Sequence, residues 1–169
     1  MNIVLIGMPG CGKTTLALEL KKMLGYPAID SDRYLKKTTG MSVDEMFEIG
    51  EKFFRVEETK ALVEIMANYD KIVLATGGGV VERACNKEVL HKNGYVIFIN
   101  RDLNEIKKVL TTRNRPLLKD NKDKMLNVLF ERRINKYRDF CDMEVKVENG
   151  LFLTAAFIKN ELRRIGVVK

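Results

Sequence analysis

The chain alternates between short apolar runs and longer segments in which apolar residues recur with a helical period. Each short run has the length of a buried strand and is mostly apolar, and several are rich in β-branched residues. On this pattern we predict five strands, over Ile3–Ile6, Pro27–Asp30, Ile72–Thr76, Tyr95–Ile99 and Met143–Val147. The segments between these runs are predicted to be helices.

Two of these helical segments show a single apolar face. Apolar residues separated by three or four positions lie on the same side of a helix. That spacing occurs after the first predicted strand at Leu16, Leu20, Met23 and Leu24, and before the third at Leu62, Ile65, Met66 and Tyr69. Each segment is therefore expected to pack one face against the sheet.

Capping signals mark several of the expected helix ends. The segments Ser42–Glu45 and Asp102–Glu105 have capping-box or closely similar spacing, while Gly25 and Gly94 stand where helices are expected to stop. Strand and helix thus alternate along the whole chain. The alternation predicts an α/β fold with a parallel sheet, right-handed crossovers and ligands bound at the carboxyl ends of the strands.

Composition fits one compact domain over residues 1–169. A chain of 169 residues is long enough to bury roughly 70% of the surface that its unfolded form exposes. No apolar run approaches the ~20 residues of a membrane helix, and the first residues lack a basic signal-peptide region, so we expect a cytoplasmic protein without a membrane partner. The three cysteines suit a reducing compartment, and His91 is expected to be a solvated surface residue without a role.

The net charge of +7 leaves two kinds of partner open. A basic protein can bind nucleic acid, but here the lysines and arginines are dispersed and no nucleic-acid-binding motif is present. Small anionic substrates account for the charge equally well, and most of the lysines are expected simply to be solvated. We therefore predict a small-molecule substrate and no nucleic-acid partner.

The strongest motif is Gly7-Met8-Pro9-Gly10-Cys11-Gly12-Lys13-Thr14, which matches G-x-x-x-x-G-K-[ST] between a predicted strand and a predicted helix. A chance match in a chain of this composition has a probability on the order of 1 in 200. Such a loop binds the phosphates of a nucleoside triphosphate with its backbone N–H groups at a helix N-terminus. The motif therefore predicts ATP and Mg²⁺ as cofactors.

Each residue of the loop is expected to make a different contact with the nucleotide. Gly10, Cys11 and Gly12 are expected to contribute backbone N–H groups, and Lys13, a solvent-facing charge in a preformed loop, to span the β- and γ-phosphates with a catalytic role. The hydroxyl of Thr14 is placed to ligate Mg²⁺. Thr15 is counted with the nucleotide-binding residues, although its side chain is expected to pack or to cap the helix.

Two carboxylates follow the second predicted strand, at Asp30 and Asp32. Residues two apart in an extended chain point the same way, so both are expected to face the cleft. A carboxylate repels an acceptor that is already ionised but can take the proton of an alcohol, so the pair favours a hydroxyl substrate. The alternative is that Ser31 or Asp32 merely caps the next helix.

Four further segments contain residues typical of a binding site. Gly50–Glu58 reads G-E-x-x-F-R-x-x-E, in which Arg55 by itself would more often be a surface or salt-bridging residue. Three glycines after Thr76 permit backbone conformations and close approaches that other residues do not allow. The other two segments are Arg113-Asn114-Arg115-Pro116-Leu117-Leu118 and Arg133-Ile134-Asn135-Lys136-Tyr137.

Together with the phosphate loop, these motifs resemble the shikimate kinase family in order and spacing, from Ile3 to about Val147. The resemblance implies that Asp30 helps organise the magnesium shell through water, and that Asp32 holds and deprotonates the acceptor hydroxyl. It also implies that Arg55 binds the shikimate carboxylate. The backbone of Gly77, Gly78 and Gly79 would contact the acceptor, with Thr76 near the magnesium water.

The same resemblance assigns two more arginines. Arg115 matches the R-P-L-L arginine of the family's lid. The lid moves this arginine onto the phosphates, so Arg115 is expected to be catalytic. Arg113 is a second candidate phosphate ligand. Arg133 matches the second carboxylate ligand in R-x-P-L-Y. That match is partial, because Asn135 and Lys136 replace proline and leucine, and Arg132 is a competing candidate.

The resemblance also implies the architecture and the reaction. The fold would be a three-layer P-loop sandwich, like that of the nucleoside-monophosphate kinases, with strand order 2-3-1-4-5. An acceptor-binding region would lie at about 31–60 and a short lid at about 111–122. The chain is expected to be a monomer that transfers the γ-phosphoryl group of ATP to the 3-hydroxyl of shikimate in aromatic amino acid biosynthesis.

Two other functions stay open at this point. The first is a P-loop kinase of another acceptor, such as gluconate or a nucleoside monophosphate. The triple glycine and two arginines that face one carboxylate favour shikimate. The second is a non-catalytic nucleotide-binding switch, which would not need Asp32, Arg55 or Arg133.

Overall fold

The computed structural model describes residues 1–110, 117 and 121–169. Its centre is a five-stranded sheet with strand order β2-β3-β1-β4-β5, in which all neighbouring strands run parallel. The predicted strand order is therefore confirmed. The strands are β1 (Asn2–Ile6), β2 (Ala28–Asp30), β3 (Val73–Ala75), β4 (Gly94–Asn100) and β5 (Met143–Lys146).

The central strand β1 explains why the chain adopts a layered α/β fold. All five of its residues are buried, although successive side chains of a strand point to opposite faces of the sheet. Both faces must then be covered, as in parallel sheets with helices on each side. In the register, Val4 lies between Leu74 of β3 and Val96 of β4.

Helices occupy the segments between the strands. They are α1 (Lys13–Leu24), α2 (Ser31–Thr39), α3 (Val43–Ile49), α4 (Glu51–Asn68), α5 (Cys85–His91), α6 (Leu103–Val109), α7 (Lys122–Phe140) and α8 (Leu151–Arg164), and a 3₁₀ turn lies at Val80–Glu82. In the part of the chain that the structure describes, no helix is long and apolar enough to cross a membrane.

The predicted apolar faces are largely confirmed. Leu16 and Leu20 of α1 are fully buried, as are Leu62 and Ile65 of α4. Tyr69 is the exception: α4 ends at Asn68, so this residue follows the helix in extended conformation and is 40% exposed. Its ring lies edge-on to the ring of Tyr34 instead of joining the core.

The helix ends agree with three of the four capping predictions. Ser42 and Glu45 form a complete capping box at α3, Asp102 accepts two backbone N–H groups at α6, and Gly25 ends α1 with a left-handed φ of 74°. Gly94 was wrongly predicted to end a helix, because it begins β4. A side chain there would collide with the carbonyl oxygen of Leu90.

Two apolar clusters fill the interior. The larger surrounds the sheet, and a smaller one consists of Leu35, Met46, Phe54 and Ala61, which come from α2, α3 and α4. These three helices cover most of the predicted acceptor-binding region at about 31–60. That regional assignment, like the single-domain assignment, remains a prediction.

The cysteine and histidine side chains have defined environments. All three cysteines are free thiols. His91 is not the fully solvated side chain that was expected, because it is half-buried, with Nδ1 2.8 Å from the carbonyl oxygen of Lys87 and Nε2 3.4 Å from Asp142. These contacts give the ring a structural role at the end of α5.

Candidate active site

The phosphate loop leaves the carboxyl end of β1 and enters α1. Gly10 and Gly12 have φ angles of 79° and 105°, which L residues with side chains rarely adopt. No side chain caps the N-terminus of α1, so its first backbone N–H groups face the loop without a side-chain partner. A helix N-terminus with these groups available attracts anions.

Lys13 is not the solvent-facing charge that was expected. The residue is 7% exposed, and its Nζ donates to the carbonyl oxygens of Gly7 and Met8 at 2.8 and 2.9 Å. The ammonium group thus lies folded back along the loop, with its charge satisfied by two carbonyl dipoles. A phosphate in the loop would compete with these carbonyls for the same donor.

Thr14 and Asp30 bring two side-chain oxygen atoms together beside the loop. The Thr14 hydroxyl donates to Oδ2 of Asp30 at 2.9 Å, while Oδ1 of Asp30 accepts the backbone N–H groups of Asp32 and Arg33. Asp30 is therefore the N-cap of α2, and the suggestion that Ser31 or Asp32 supplies the cap is wrong. A hydroxyl and a carboxylate are ligands that Mg²⁺ accepts.

Asp30 and Asp32 share a cavity, but not for the predicted reason. The extended chain ends at Asp30, and Asp32 lies in the first turn of α2. Both residues nevertheless line a cavity of about 420 Å³, here called the loop cavity, together with the phosphate loop and Thr76. Thr15 is exposed and lines the same cavity, so it neither packs in the core nor caps α1.

A second, smaller cavity adjoins the loop cavity and is here called the arginine cavity. It shares Pro9, Asp32, Gly77 and Gly78 with the loop cavity, so the two are continuous. Its other lining residues are Val43, Phe47, Phe54, Arg55, Glu58, Gly79, Leu117, Leu129 and Arg133. Apolar walls thus surround two cations, two acids and a stretch of glycine backbone.

Arg55 lies in the first turns of α4 and is buried rather than on the surface. Its Nη1 donates to Glu58 at 2.9 Å, its Nη2 to Glu51 at 3.3 Å, and its guanidinium lies 4.9 Å from the ring centre of Phe54. Burial raises the pKa of Glu58, an effect that the charge of Arg55 opposes. In the described part of the chain, Nε of Arg55 and Oε1 of Glu58 have no hydrogen-bond partner.

Arg133 reaches the arginine cavity from α7 and is 1% exposed. Its Nε donates to Glu82 at 2.6 Å and its Nη1 to the carbonyl oxygen of Gly78 at 3.3 Å. Its Nη2 is buried without a partner among the residues that the structure describes. Arg132 has a half-exposed side chain and does not line the cavity. The geometry therefore places Arg133 at the site.

The three glycines are needed because a side chain would not fit at their positions, not because their backbone angles are unusual. None of them has a left-handed φ, so the expectation of unusual backbone angles is wrong. A Cβ on Gly79 would collide with the guanidinium of Arg55, and one on Gly78 would lie 2.7 Å from the ring of Pro9. Thr76 is buried and donates to the carbonyl oxygen of Leu5 at 3.0 Å.

Several residues of the site were not predicted from the sequence. Glu58 follows Arg55 by one helical turn, and that spacing could have indicated an ion pair. Glu82 has no such signal, since its contacts are about fifty residues away in sequence. Four other residues line the loop cavity without any motif: Arg101, Val109, Leu110 and Leu151.

The predicted lid lies mostly outside the described residues. Arg113 and Arg115 are among the residues that the structure does not describe, so their predicted phosphate contacts have no structural account. Leu117 is described and lines the arginine cavity. The chain continues into α7 at Lys122, whose Nζ donates to the carbonyl oxygens of Lys107 and Leu110 at the end of α6.

Comparison with known proteins gives a consistent result. The family model for shikimate kinase matches residues 9–154. A shikimate kinase of Clostridium botulinum is 42% identical over 149 residues, which cover 88% of each chain. A solved shikimate kinase from Acinetobacter baumannii, in complex with shikimate, has a TM-score of 0.90 at 32% identity and covers 96% of this chain and 93% of its own. The shikimate kinase structure from Aquifex aeolicus has a TM-score of 0.82 at 30% identity, with 96% of each chain covered.

Proposed function

The chain belongs to the shikimate kinase family, and on this premise we propose that it transfers the γ-phosphoryl group of ATP to the 3-hydroxyl of shikimate. The products are shikimate 3-phosphate and ADP, and the reaction is a step of aromatic amino acid biosynthesis. Neither a gluconate or nucleotide acceptor nor a non-catalytic switch gains support from the family match. The family, the continuous pair of cavities and their charged residues all favour this reaction.

One observation carries the choice of acceptor: two buried arginines from different helices line the same small cavity. Arg55 and Arg133 each keep one nitrogen without a partner within the described residues. A buried donor left without an acceptor costs about 1–3 kcal/mol, and a bound carboxylate would remove that cost at both sites. A hydroxy acid therefore suits the cavity better than a neutral alcohol.

The phosphate loop positions the other substrate. The N-terminus of α1 and the backbone of Gly10, Cys11 and Gly12 would hold the phosphates of ATP, and Lys13 would leave the carbonyls of its loop to bind them. The arginine cavity opens beside the loop cavity. An acceptor held there would have its hydroxyl next to the γ-phosphorus.

Asp32 is the group proposed to take the acceptor proton, because it lines both cavities. As the hydroxyl oxygen forms its bond to phosphorus, the bond from phosphorus to the β,γ-bridging oxygen breaks and ADP leaves. The hydroxyl proton passes to the carboxylate of Asp32. The backbone of Gly77, Gly78 and Gly79 leaves room for the ring of the acceptor, since no side chain projects from these positions.

Thr14 and Asp30 would hold Mg²⁺, the latter through water. Their oxygens are within hydrogen-bond distance of each other, at 2.9 Å, which suits a shared ion. The described residues contain no group of three or more His, Cys, Asp or Glu side chains able to hold a metal. When bound, Mg²⁺ offsets negative charge on the phosphates.

The remaining assignments are also proposals. Arg115, with Arg113 as a second candidate, is proposed to close over the phosphates from the lid at about 111–122 and to exclude water. We further propose that the enzyme acts as a cytoplasmic monomer without a nucleic-acid partner. The free thiols of Cys11, Cys85 and Cys141 support a reducing compartment.

An acceptor screen tests the proposed function. Release of ADP would be followed with a coupled assay in the presence of ATP, Mg²⁺ and one of four acceptors: shikimate, gluconate, AMP or CMP. Shikimate alone should support rapid turnover. Turnover with another acceptor but not with shikimate would refute the assignment, and ATP hydrolysis that is independent of any acceptor would indicate a switch instead.

A further inference from the structure

Glu82 lies behind the arginine cavity, at the end of the 3₁₀ turn that follows the triple glycine. Its carboxylate contacts three cations of α7. Nε of Arg133 donates to Oε1 at 2.6 Å, Arg132 donates to the same oxygen, and Nζ of Lys136 donates to Oε2 at 2.9 Å. The side chains of Glu82 and Arg133 are only 12% and 2% exposed, so their contact is shielded from water, whereas Arg132 and Lys136 reach Glu82 from the surface.

The turn fixes Glu82 relative to the glycines of the site. The backbone N–H of Glu82 donates to the carbonyl oxygen of Gly79 at 2.9 Å, and that of Val80 donates to Gly77 at 3.2 Å. Arg133 is therefore held at two points of one hydrogen-bonded segment, by the carboxylate of Glu82 and by the carbonyl oxygen of Gly78 at 3.3 Å. Its third nitrogen, Nη2, is left without a partner in the described structure.

We propose that Glu82 is the positioning residue for Arg133, and that Lys136 belongs to the same arrangement. An arginine side chain has several rotatable bonds, and a guanidinium held through Nε and Nη1 presents its remaining edge in one orientation. Lys136 stands where the resembling motif has leucine, and it binds the second carboxylate oxygen of Glu82. Oε1 then remains for the arginines.

Glu82 could act in two other ways, and each predicts a different result. If it merely lowered the positive potential of the cavity, its removal would strengthen the binding of an anionic acceptor. If it served only the stability of α7, its removal would lower the melting temperature and leave the kinetics unchanged. Only the positioning role predicts that removal of Glu82 weakens acceptor binding, and that this effect requires Arg133.

The test is steady-state kinetics of Glu82→Met, a substitution that keeps the length of the side chain and removes its charge and both acceptors. With saturating ATP, KM for shikimate should rise about tenfold or more, while kcat and KM for ATP change less than about threefold. Glu82→Gln keeps one acceptor oxygen and should recover part of the loss. It also keeps the test valid if Glu82→Met folds poorly.

A double-mutant cycle identifies the residue through which Glu82 acts. In an Arg133→Ala background, Glu82→Met should change KM for shikimate by less than about twofold, because nothing is left to position. Glu144→Met is the matched control. Glu144 is the ion-pair partner of Arg138, which lies on α7 as Arg133 does. Because Glu144 does not line the arginine cavity, Glu144→Met should leave KM for shikimate unchanged.

The inference rests on the proposed function, and the outcomes separate the two. An unchanged or lowered KM in Glu82→Met, in a protein whose wild type phosphorylates shikimate, would overturn the role of Glu82 alone. So would an equal rise in KM with and without Arg133. A wild-type protein that does not phosphorylate shikimate would overturn the proposed function and this inference together.

Discussion

Arg55 and Arg133 are buried cations that the carboxylates of the protein pair only in part. Each is held by a carboxylate of the protein, at 2.9 Å from Glu58 and 2.6 Å from Glu82, and each keeps one nitrogen unpaired in the described structure. Partial pairing lowers the cost of burying the charge without using all of its donors. The ligand can then complete the set.

Asp32 is the residue whose proposed role is most specific to the chemical step. In Asp32→Asn the amide keeps the shape of the carboxylate but cannot accept the proton at physiological pH. The value of kcat should therefore fall by about a hundredfold, while the affinity for ATP stays nearly constant. Rapid-quench measurement of the phosphoryl-transfer step together with ATP titration would check this, and loss of ATP binding alone would assign Asp32 to the nucleotide site.

Glu82 also predicts a dependence of stability on pH. Burial would raise the pKa of its carboxyl group, but hydrogen bonds from Arg133, Lys136 and Arg132 outweigh that effect and lower the pKa to about 2. A lowered pKa means that the folded protein favours the charged form. The stabilisation is complete above the ordinary value of 4.5 and is lost as the pH falls towards about 2.

Urea unfolding of the wild type and of Glu82→Gln measures this effect. Glu82→Gln should be less stable at pH 7, and the difference in the free energy of unfolding should shrink as the pH falls from about 4.5 to about 2. Other carboxyl groups titrate in both proteins and cancel in the difference. A difference that stays constant over this range would contradict the lowered pKa.

At the scale of elements, the triple glycine connects both cavities. It follows β3, contacts the start of α2 through Ser31, and passes into the 3₁₀ turn that carries Glu82. Because Gly79 is packed against the guanidinium of Arg55, a side chain at this position would displace that guanidinium. Small size, rather than an unusual φ, is what this element needs.

Gly79→Ala tests that requirement. The added methyl group would displace the guanidinium of Arg55, so KM for shikimate should rise about tenfold, with little change in KM for ATP. Gly25→Ala is the comparison, because its methyl group would contact no other atom, while its φ of 74° makes alanine strained. That control should cost about 1–2 kcal/mol of stability and leave KM unchanged. An unchanged KM for shikimate in Gly79→Ala would contradict the steric account, because Arg55 would then tolerate the methyl group without loss of acceptor binding.

At the scale of the whole molecule, the features predicted correctly from the sequence are those that depend on residues close together in the chain. The five strands and the phosphate loop follow from apolar runs and from a motif of eight residues. Asp32 was assigned to the cleft on a wrong premise, since it lies in the first turn of α2 rather than in an extended chain. Asp32 lines the cavity all the same, because either geometry places it at the carboxyl end of the sheet.

The rest depended on packing that no local pattern encodes. Arg132 and Arg133 are adjacent, and only the position of α7 against the glycines determines which one faces the cavity. The ion pair between Glu82 and Arg133 spans fifty-one positions, so neither sequence segment reveals it. Lys13 was predicted to be exposed because the motif indicates only its contact with bound phosphate. In the structure its ammonium group instead donates to two carbonyl oxygens of its own loop.

The central claim is that Arg55 and Arg133 hold the carboxylate of the acceptor while Asp32 faces its hydroxyl. The most direct test compares shikimate with its analogue in which the carboxylate is reduced to an alcohol. Each single Arg→Ala variant should raise KM for shikimate by about ten- to a hundredfold, and the double variant should lose less than the product of the two effects. KM for the analogue should be insensitive to both substitutions. An analogue whose KM rises as steeply as that of shikimate would contradict the account, because the arginines would then not be binding the carboxylate.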